Sequence, residues 1–367
     1  MISSGMRQNI ANVKARATAR ITSSSRACYI GGQGDSNLGD EAMLEAARRL
    51  LPGVDLIDVV YPNQERRLAR LSLSGAPFFD FAILGGGTLI NHHWHEKVQT
   101  ALAQGLPIFC LGTGVGSAGF GMAVQTDAGD WKPLLQQFAG IGVRGPRSEA
   151  RLRSLGLGRV EIIGDLALTL TPETLPKAGA GKFVVNVTAP PGDDPGNYAR
   201  VNELEGVIKK LTVDGWTAVP VAMHRNDIEP LKQLMERATG KKYEILMPPT
   251  AQEFFDILTP CAFTLAVRLH AAILSCCVGV PPLMLGYRDK CLDFMESIDL
   301  EEWHINVMEA PEGLVTERSL ALADSASKLR QPIHSSCLKW RGRIEQYVDT
   351  TIKAVRTGQP NKEHART

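Results

Sequence analysis

The sequence predicts an α/β protein with two Rossmann-like domains that face each other across a cleft, followed by C-terminal helices. Short apolar runs rich in β-branched residues alternate with helical patterns of about 10–15 residues, which is typical of βαβ units and parallel sheets. The length of 367 residues suits two domains of about 100–200 residues each. A segment rich in Pro, Gly and Ala at 171–181 interrupts the alternation and predicts a linker.

The first domain is predicted over residues 27–175. Its first strand, 27–30, stops at Gly31-Gly32, and a helix follows over about 41–51. Gly-Gly favours such a stop because glycine tolerates the backbone conformations of a tight turn. Further strands are predicted, in chain order, at 54–60, 79–84, 108–112, 140–143 and 160–163.

The second domain is predicted over residues 176–310. Its strands are expected at 183–188, 217–223, 243–246, 262–267 and 282–285, with helices at 198–213, 228–239, 251–259 and 269–278. The wholly apolar segment 263–267 suits a strand covered by helices on both faces of the sheet. Two helices, 318–330 and 338–356, are expected in the C-terminal segment 311–367.

The charge of the chain is nearly balanced but unevenly placed. The net charge of +1 excludes a protein whose main role is to coat nucleic acid, which needs a surplus of Lys and Arg. Residues 1–34 carry five cations and no acid, so this part is +5 and the remainder is −4. We expect a poorly ordered leader over 1–26; the alternative is a basic arm that contacts an anionic membrane, worth about 1 kcal/mol per cation.

Two further features concern location. The leader lacks the apolar core of a secretory signal, and no apolar run approaches the ~18–20 residues that span a bilayer. None of the seven cysteines forms a CxxC pair, which predicts buried free thiols in a reducing compartment. We therefore expect a cytoplasmic protein, with the inner face of the membrane as an alternative position.

Three glycine-rich segments each follow a predicted strand. Because ligands of open α/β sheets bind outside the carboxyl ends of the strands, these segments predict one binding mouth. The first, 31–41, is neither a dinucleotide fingerprint, since Asn37 replaces the third glycine, nor a phosphate-binding P-loop. Asp40 has a structural alternative as a helix N-cap. The residues expected to line the mouth are Asn37, Gly39, Gly86, Gly87, Gly112, Thr113 and Gly114.

The segment 92–95 holds three histidines in four residues. No Cys or acidic residue lies nearby at a recognised metal-ligand spacing. We expect a loop whose side chains line the cleft or are exposed, and no metal site.

Two arginines and a histidine follow predicted strands directly. An Arg at such a junction, as at Arg144, can direct its planar guanidinium at a carboxylate or phosphate; a surface arginine in a salt bridge is the alternative. The run Arg268-Leu269-His270 is more specific, because neither polar side chain suits the packing of so apolar a segment. An anion clamp beside a general acid suits chemistry on a phosphorylated, carboxylated molecule, and Lys290 adds a cation to the same rim.

These motifs resemble the polysaccharide pyruvyl transferase family, with matching order and spacing over roughly residues 27–300. The Arg-Leu-His run followed by an apolar helix and Gly-Val-Pro is the most diagnostic. The matching elements are Asn37-Leu38-Gly39-Asp40, Gly85-Gly86-Gly87, Gly112-Thr113-Gly114, Arg144 with Ser148, Asp165, Arg268-Leu269-His270, and Tyr287 with Lys290.

The resemblance implies transfer of pyruvate from phosphoenolpyruvate to a sugar residue of a polysaccharide or of its lipid-linked precursor, as a ketal. It also implies a fold similar to GT-B glycosyltransferases, with the donor in the cleft and no cofactor. By position, Arg144, Arg268 and Leu269 would contact phosphoenolpyruvate, and His270 would be the catalytic acid.

The base that accepts the proton of the attacking hydroxyl stays open among Asp40, Glu41 and Asp165, each of which also suits capping or loop bracing. Lys290 is a candidate to assist phosphate departure, with an exposed rim lysine as the alternative. The expected partners are phosphoenolpyruvate, a glycan or lipid-linked oligosaccharide, and a peripheral membrane contact, without nucleic acid.

Three other functions stay open at this point. A GT-B-type glycosyltransferase would use a nucleotide-sugar donor on the same fold. A non-catalytic protein would bind glycans or anions, although binding alone does not call for an acid beside Arg268. NAD-dependent redox chemistry ranks last, because the dinucleotide fingerprint is incomplete at Asn37.

Overall fold

The computed structural model describes residues 25–58, 79–116, 128–188 and 199–353. The chain divides into two compact units. The first contains residues up to Asp35, Met43–Thr169, and those from Gly342 onward; the second contains Ser36–Ala42 and Leu170–Arg341. Apart from Ser25 and Arg26, the predicted leader lies outside the described residues.

The first unit is built on a parallel sheet in the order β2-β1-β3-β5-β6-β7, with β4 paired to β5. Its helices follow strands, as the alternating pattern predicts. The strands are β1 (Ser25–Ile30), β2 (Val54–Asp58), β3 (Phe81–Leu84), β4 (Gly87–Ile90), β5 (Ile108–Val115), β6 (Gly140–Val143) and β7 (Glu161–Ile162). The helices are α1 (Leu38–Leu50), whose residues up to Ala42 belong to the second unit, α2 (His92–Ala103), α3 (Lys132–Leu135) and α4 (Pro146–Ser154).

The second unit holds a five-stranded parallel sheet in the order β12-β11-β10-β8-β9. The strands are β8 (Lys182–Asn186), β9 (Thr217–Pro220), β10 (Phe263–Ala266), β11 (Pro282–Gly286) and β12 (His304–Asn306). The helices are α5 (Ala199–Asn202), α6 (Leu204–Val213), α7 (Ile228–Thr239), α8 (Ala251–Leu258), α9 (Leu269–Cys277), α10 (Asp289–Ser297) and α11 (Leu314–Tyr347).

Strands β8 and β10 are buried at the centre of the second sheet, as their apolar sequences predict. Phe183 and Phe263 stack with ring centroids 5.3 Å apart, and Trp216 meets Phe263 edge-on at 5.3 Å. Aromatic contacts of this kind stabilise a core beyond the area they bury. Packing in the core therefore fixes the positions of the ends of these strands.

The expectations for segment 243–246 and for the C-terminal helices are wrong. Segment 243–246 is not a strand: Leu246 alone forms a bridge, to Val221, and Pro248-Pro249 just after it offers no N–H to extend the pairing. The two predicted C-terminal helices are one, because α11 continues through Pro332. Side chains on either side of that proline bind backbone oxygens, Arg330 that of Pro176 at 2.8 Å and His334 that of Pro172 at 2.9 Å.

The seven cysteines are all buried and free, as predicted. Burial raises the pKa of Cys110 to about 12 and that of Cys261 to about 11. Within the described residues, no helix is both long and apolar enough to cross a membrane.

Candidate active site

Arg268 and His270 lie at the carboxyl end of β10, where the sequence predicts them. Arg268 has extended backbone angles and is the N-cap of α9, so His270 belongs to the first turn of that helix. The eight residues of α9 that are buried include Leu269, which anchors the start of the helix in the core. Strand and helix thus fix the place of both polar side chains.

Asp227 binds the Arg268 side chain through two parallel hydrogen bonds. Nε donates to Oδ2 at 2.7 Å and an Nη2–H donates to Oδ1 at 2.6 Å. The carboxylate is fully buried, whereas the Arg268 side chain is 23% exposed. Such a bidentate pair fixes the plane of the guanidinium group.

Asn186 at the end of β8 fixes the backbone of Arg268. Its Oδ1 accepts from the Arg268 N–H at 3.0 Å, and its Nδ2 donates to the Val221 oxygen at 2.9 Å. Asn186 is fully buried, so both bonds are protected from water, which makes them costly to lose.

The motif Asn37-Leu38-Gly39-Asp40 starts α1 and belongs to the second unit. Asn37 caps the helix: its Oδ1 accepts from the Gly39 N–H at 3.2 Å, and its Nδ2 donates to Asp40 Oδ2 at 2.6 Å. The alternative that Asp40 is the N-cap is therefore wrong, because Asn37 takes that position. The Leu38 N–H donates to the Met223 oxygen at 2.9 Å and ties this turn to the segment just before Asp227.

Gly39 lies directly against the imidazole of His270. A Cβ atom built on Gly39 would overlap Nδ1, Cγ and Cβ of His270. Only a residue without a side chain permits this approach. The motif that starts α1 thus packs against one side of the His270 ring through Gly39.

Tyr287 and Lys290 follow β11, the strand paired with β10. Burial raises the pKa of the Tyr287 phenol, and the neighbouring cations Arg288 and Arg268 oppose this shift. The Arg288 guanidinium lies 5.1 Å from the centre of the Tyr287 ring. Lys290 belongs to the first turn of α10.

Arg144 and Asp165 form a buried pair in the first unit. Arg144 Nη1 lies 3.9 Å from Asp165 Oδ2, and the side chains are 1% and 0% exposed. Asp165 Oδ1 accepts from the Ala167 N–H at 3.0 Å. The alternative of a surface arginine in a salt bridge is wrong about the location: Arg144 does pair with an acid, but both partners are buried.

Gly112, Thr113 and Gly114 all lie inside β5. The sequence suggested a strand that ends at Gly112, with Thr113 and Gly114 in a loop after it. Gly112 has a φ of 71° and produces a shift in the pairing of β5 with β6. The Thr113 hydroxyl lies 2.8 Å from the oxygens of Leu84 and Gly85. A Cβ on Gly114 would lie 2.5 Å from Arg144 Nη2. The strand is longer than predicted because β4 extends the sheet beside it.

The triple glycine between β3 and β4 is packed tightly. A Cβ on Gly85 would overlap the Tyr29 phenol, and one on Gly86 would overlap Met43 Sδ. Gly87 has a φ of 96°, which favours glycine. These glycines thus have packing and backbone roles in the first unit.

The segment 92–95 is the start of helix α2 and not a loop. Asn91 caps the helix by accepting from the His93 N–H at 2.9 Å. His95 Nε2 lies 3.3 Å from the backbone oxygen of Asp130. The His95 ring meets the Trp131 ring edge-on, with 5.5 Å between the ring centroids. In the part of the chain that the structure describes, no three His, Cys, Asp or Glu side chains form a group that could hold a metal.

The predicted site residues fall into one group in each unit. The second unit holds Asn37, Gly39, Asp40, Arg268, Leu269, His270 and Lys290, and the first holds Gly86, Gly87, Gly112, Thr113, Gly114, Arg144 and Asp165. Sequence reasoning missed Asn186 and Asp227, the two residues that hold Arg268. A usable signal existed for Asn186, a polar residue that ends the apolar run Phe183-Val184-Val185.

The family model for polysaccharide pyruvyl transferases matches residues 37–289, more than half of the chain. Over 97 residues the chain is 28% identical to the amylovoran biosynthesis protein AmsJ of Erwinia amylovora. That match spans 25% of this chain and only 22% of AmsJ. AmsJ thus adds a local similarity to a protein of amylovoran biosynthesis.

Solved structures share the fold at low identity. S. aureus MnaA, in a co-structure with UDP, gives a TM-score of 0.61 at 12% identity, with 91% of this chain and 97% of that chain covered. UDP-GlcNAc 2-epimerase from Neisseria meningitidis gives a TM-score of 0.53 at 10% identity, with 90% of this chain and 99% of that chain covered. An O-GlcNAc transferase mutant from Thermobaculum terrenum gives a TM-score of 0.51 at 12% identity, with 98% of this chain and 75% of that chain covered. These likenesses establish a GT-B-like fold.

Proposed function

Because this chain belongs to the polysaccharide pyruvyl transferase family, we propose that it transfers pyruvate from phosphoenolpyruvate to a sugar residue of a polysaccharide or of its lipid-linked precursor, forming a ketal. The observation that carries the proposal is the junction of β10 and α9. It places a guanidinium held by Asp227 two residues from an imidazole, at the end of a strand.

Phosphoenolpyruvate offers a phosphate and a carboxylate, and a planar guanidinium binds either through paired hydrogen bonds. Arg268 is proposed to hold one of these groups and to offset the charge that grows on the departing phosphate. For Arg144 the proposal rests on the family motif, since its guanidinium is buried 3.9 Å from Asp165. No cofactor is proposed, because arginines can supply the cations.

His270 is proposed to donate a proton to the methylene carbon of the donor. C2 then becomes an oxocarbenium-like centre, a sugar hydroxyl attacks it, and the C2–O bond to phosphate breaks. A second hydroxyl of the acceptor closes the ketal at C2. The two acceptor hydroxyls release two protons. One of them restores the proton that His270 gave to the methylene carbon, and the other leaves with phosphate. The products are therefore a pyruvate ketal and hydrogen phosphate.

Asp40 is the favoured base for the attacking hydroxyl. It is partly exposed and lies next to Gly39, which contacts the His270 ring. Asp165 is fully buried beside Arg144, which suits a role in holding that arginine. Glu41 is the remaining candidate, and Lys290 is proposed to assist phosphate departure from the first turn of α10.

A membrane contact through the basic leader is part of the proposal for lipid-linked acceptors. Deletion of residues 1–25 should weaken binding to anionic vesicles and leave turnover on soluble acceptors unchanged. Unchanged vesicle binding would remove the leader from this role.

The function is tested by incubating the protein with phosphoenolpyruvate and a panel of soluble and lipid-linked oligosaccharides. Mass spectrometry should show one added pyruvyl group together with release of phosphate. UDP-sugars in place of phosphoenolpyruvate test the glycosyltransferase alternative. Added hexose mass without added pyruvyl mass would replace the proposal by that alternative.

A further inference from the structure

We infer that Asp227 is a positioning residue for Arg268, and that the orientation of the guanidinium matters more to donor use than the net positive charge of the site. This inference rests on the proposed function. It concerns a carboxylate to which the family motif gives no role and which lies 41 residues before Arg268 in the chain.

The two side chains meet in a geometry that determines direction. Asp227 accepts from Nε and from one Nη2–H, at 2.7 and 2.6 Å, and so occupies two of the five guanidinium N–H donors. Two parallel bonds prevent the planar group from rotating about its long axis. The edge of the Arg268 guanidinium that faces away from Asp227 therefore points in one fixed direction.

Asp227 is itself held in place. Its Oδ2 accepts from the backbone N–H groups of Met223 at 3.2 Å and His224 at 3.1 Å. The next turn is fixed as well, because His224 Nδ1 accepts from the Asn226 N–H at 3.1 Å. The carboxylate is thus a rigid acceptor, and its position is transmitted to the arginine.

Arg268 is held at its other end too. Its N–H donates to Asn186, and Asn186 in turn donates to the Val221 oxygen. With the backbone fixed by Asn186 and the guanidinium fixed by Asp227, few rotamers remain open to Arg268. A pre-set side chain of this kind loses little freedom when it binds a ligand.

The same pairing has an electrostatic cost. A carboxylate at hydrogen-bond distance cancels much of the positive charge that would attract an anionic donor. Replacing Asp227 by Asn would remove that negative charge and also weaken the fork. Charge alone predicts tighter donor binding in Asp227→Asn, whereas lost orientation predicts poorer use of the donor. The charge effect and the orientation effect therefore change donor use by Asp227→Asn in opposite directions.

The test compares wild type, Asp227→Asn and a control, Asp214→Asn. Asp214 lies in the same unit, is about half exposed and pairs with Lys210 at 3.3 Å, so the control makes the same charge change on the surface. We expect Asp227→Asn to lower kcat/KM for phosphoenolpyruvate by about 10- to 100-fold, and Asp214→Asn to leave it unchanged. Equal or higher kcat/KM together with tighter donor binding in Asp227→Asn would overturn the inference.

Arg268→Lys gives a second, independent test, because lysine keeps the charge and cannot form the fork. We expect a loss like that of Asp227→Asn, and a double variant no worse than either single one, since both remove the same orientation. Independent, multiplying losses would overturn the inference. If Asp227→Asn does not fold, Arg268→Lys decides alone, and wild-type kcat/KM in that variant contradicts us.

Wild type itself separates this inference from the proposed function. If wild type neither binds phosphoenolpyruvate by calorimetry nor releases phosphate with any acceptor, the proposed function fails. If wild type does both and Asp227→Asn uses the donor as well as wild type, only the role of Asp227 fails.

Discussion

Glycines in the two units do different things, although the sequence places both sets just after strands. In the first unit, side chains added at Gly85 and Gly86 would overlap Tyr29 and Met43, which are buried packing residues. In the second unit, a side chain added at Gly39 would overlap His270, the proposed catalytic acid. The same residue type thus permits core packing in one unit and, in the other, a close approach to the proposed catalytic acid.

The two Arg–Asp pairs differ in the same way. Arg144 and Asp165 are both buried, with 3.9 Å between the nearest charged atoms. Arg268 is partly exposed and held by two short bonds to Asp227. The first pair is shielded from solvent, whereas the second pair presents an oriented guanidinium to solvent. Of the two pairs, the one in the second unit is therefore the better suited to the proposed binding of an anionic donor.

The largest effect is expected at His270. His270→Ala should reduce pyruvyl transfer by about 10²- to 10⁴-fold, the contribution typical of a general acid. Its melting temperature should change little, because the proposed role of this side chain is chemical. Phosphate release at the wild-type rate would remove His270 from the mechanism.

The next effect is expected at Gly39, where the comparison between units is sharpest. Gly39→Ala should displace the imidazole and lower kcat/KM by about 10- to 100-fold, as a misplacement of about 1 Å can. Gly206→Ala is the matched control, because Gly206 also lies in a helix of the second unit and no atom would meet its Cβ within 4 Å. Equal activity in the two variants would show that Gly39 does not set the position of His270.

In the first unit a glycine substitution should affect stability. Gly112 has a φ of 71°, and its Cβ would lie 2.9 Å from the Leu166 nitrogen and 3.0 Å from the Gly164 oxygen. Gly112→Ala should lower the free energy of unfolding by about 1–3 kcal/mol, from backbone strain plus this collision.

Gly105→Ala is the control for that prediction. Gly105 has a φ of 73° but no atom within 4 Å of its Cβ, so this variant isolates the strain. Denaturant unfolding should show the larger loss for Gly112→Ala. The opposite order would mean that the collision at β5 is relieved without cost.

The smallest effect concerns thiol reactivity in the two units. The raised pKa values of Cys110 and Cys261 keep both thiols protonated at pH 7–8, and their burial blocks reagents. Wild type should label slowly at both. Gly112→Ala should speed labelling of Cys110, two residues away in β5, more than that of Cys261, as peptide mapping would show. Equal acceleration would indicate that the two units unfold together.

The sequence predicted the alternation of strands and helices well, because βαβ units leave a regular pattern of apolar runs. It did not predict that α11 runs through Pro332 or that 243–246 is not a strand, because side-chain anchors and missing partners depend on the tertiary structure. Local rules treat proline as a helix breaker.

The sequence also indicated Arg268 and His270, since polar residues at the end of an apolar strand are conspicuous. It could not indicate Asp227, because this acid lies far away in the chain and its surroundings resemble any polar turn. The role of Gly39 was equally hidden: the sequence suggests a glycine near a ligand, whereas the structure places it against a side chain of its own protein.

The most direct test of the account is transfer of a pyruvyl group from phosphoenolpyruvate to an oligosaccharide acceptor, followed by mass spectrometry in wild type and His270→Ala side by side. We predict one added pyruvyl group with stoichiometric phosphate in wild type, and a rate of formation of both products about 10²- to 10⁴-fold lower in the variant, while both proteins melt at similar temperatures. Pyruvyl transfer at equal rates in both proteins would contradict the central claim, that the Arg268–His270 junction of the second unit carries the chemistry.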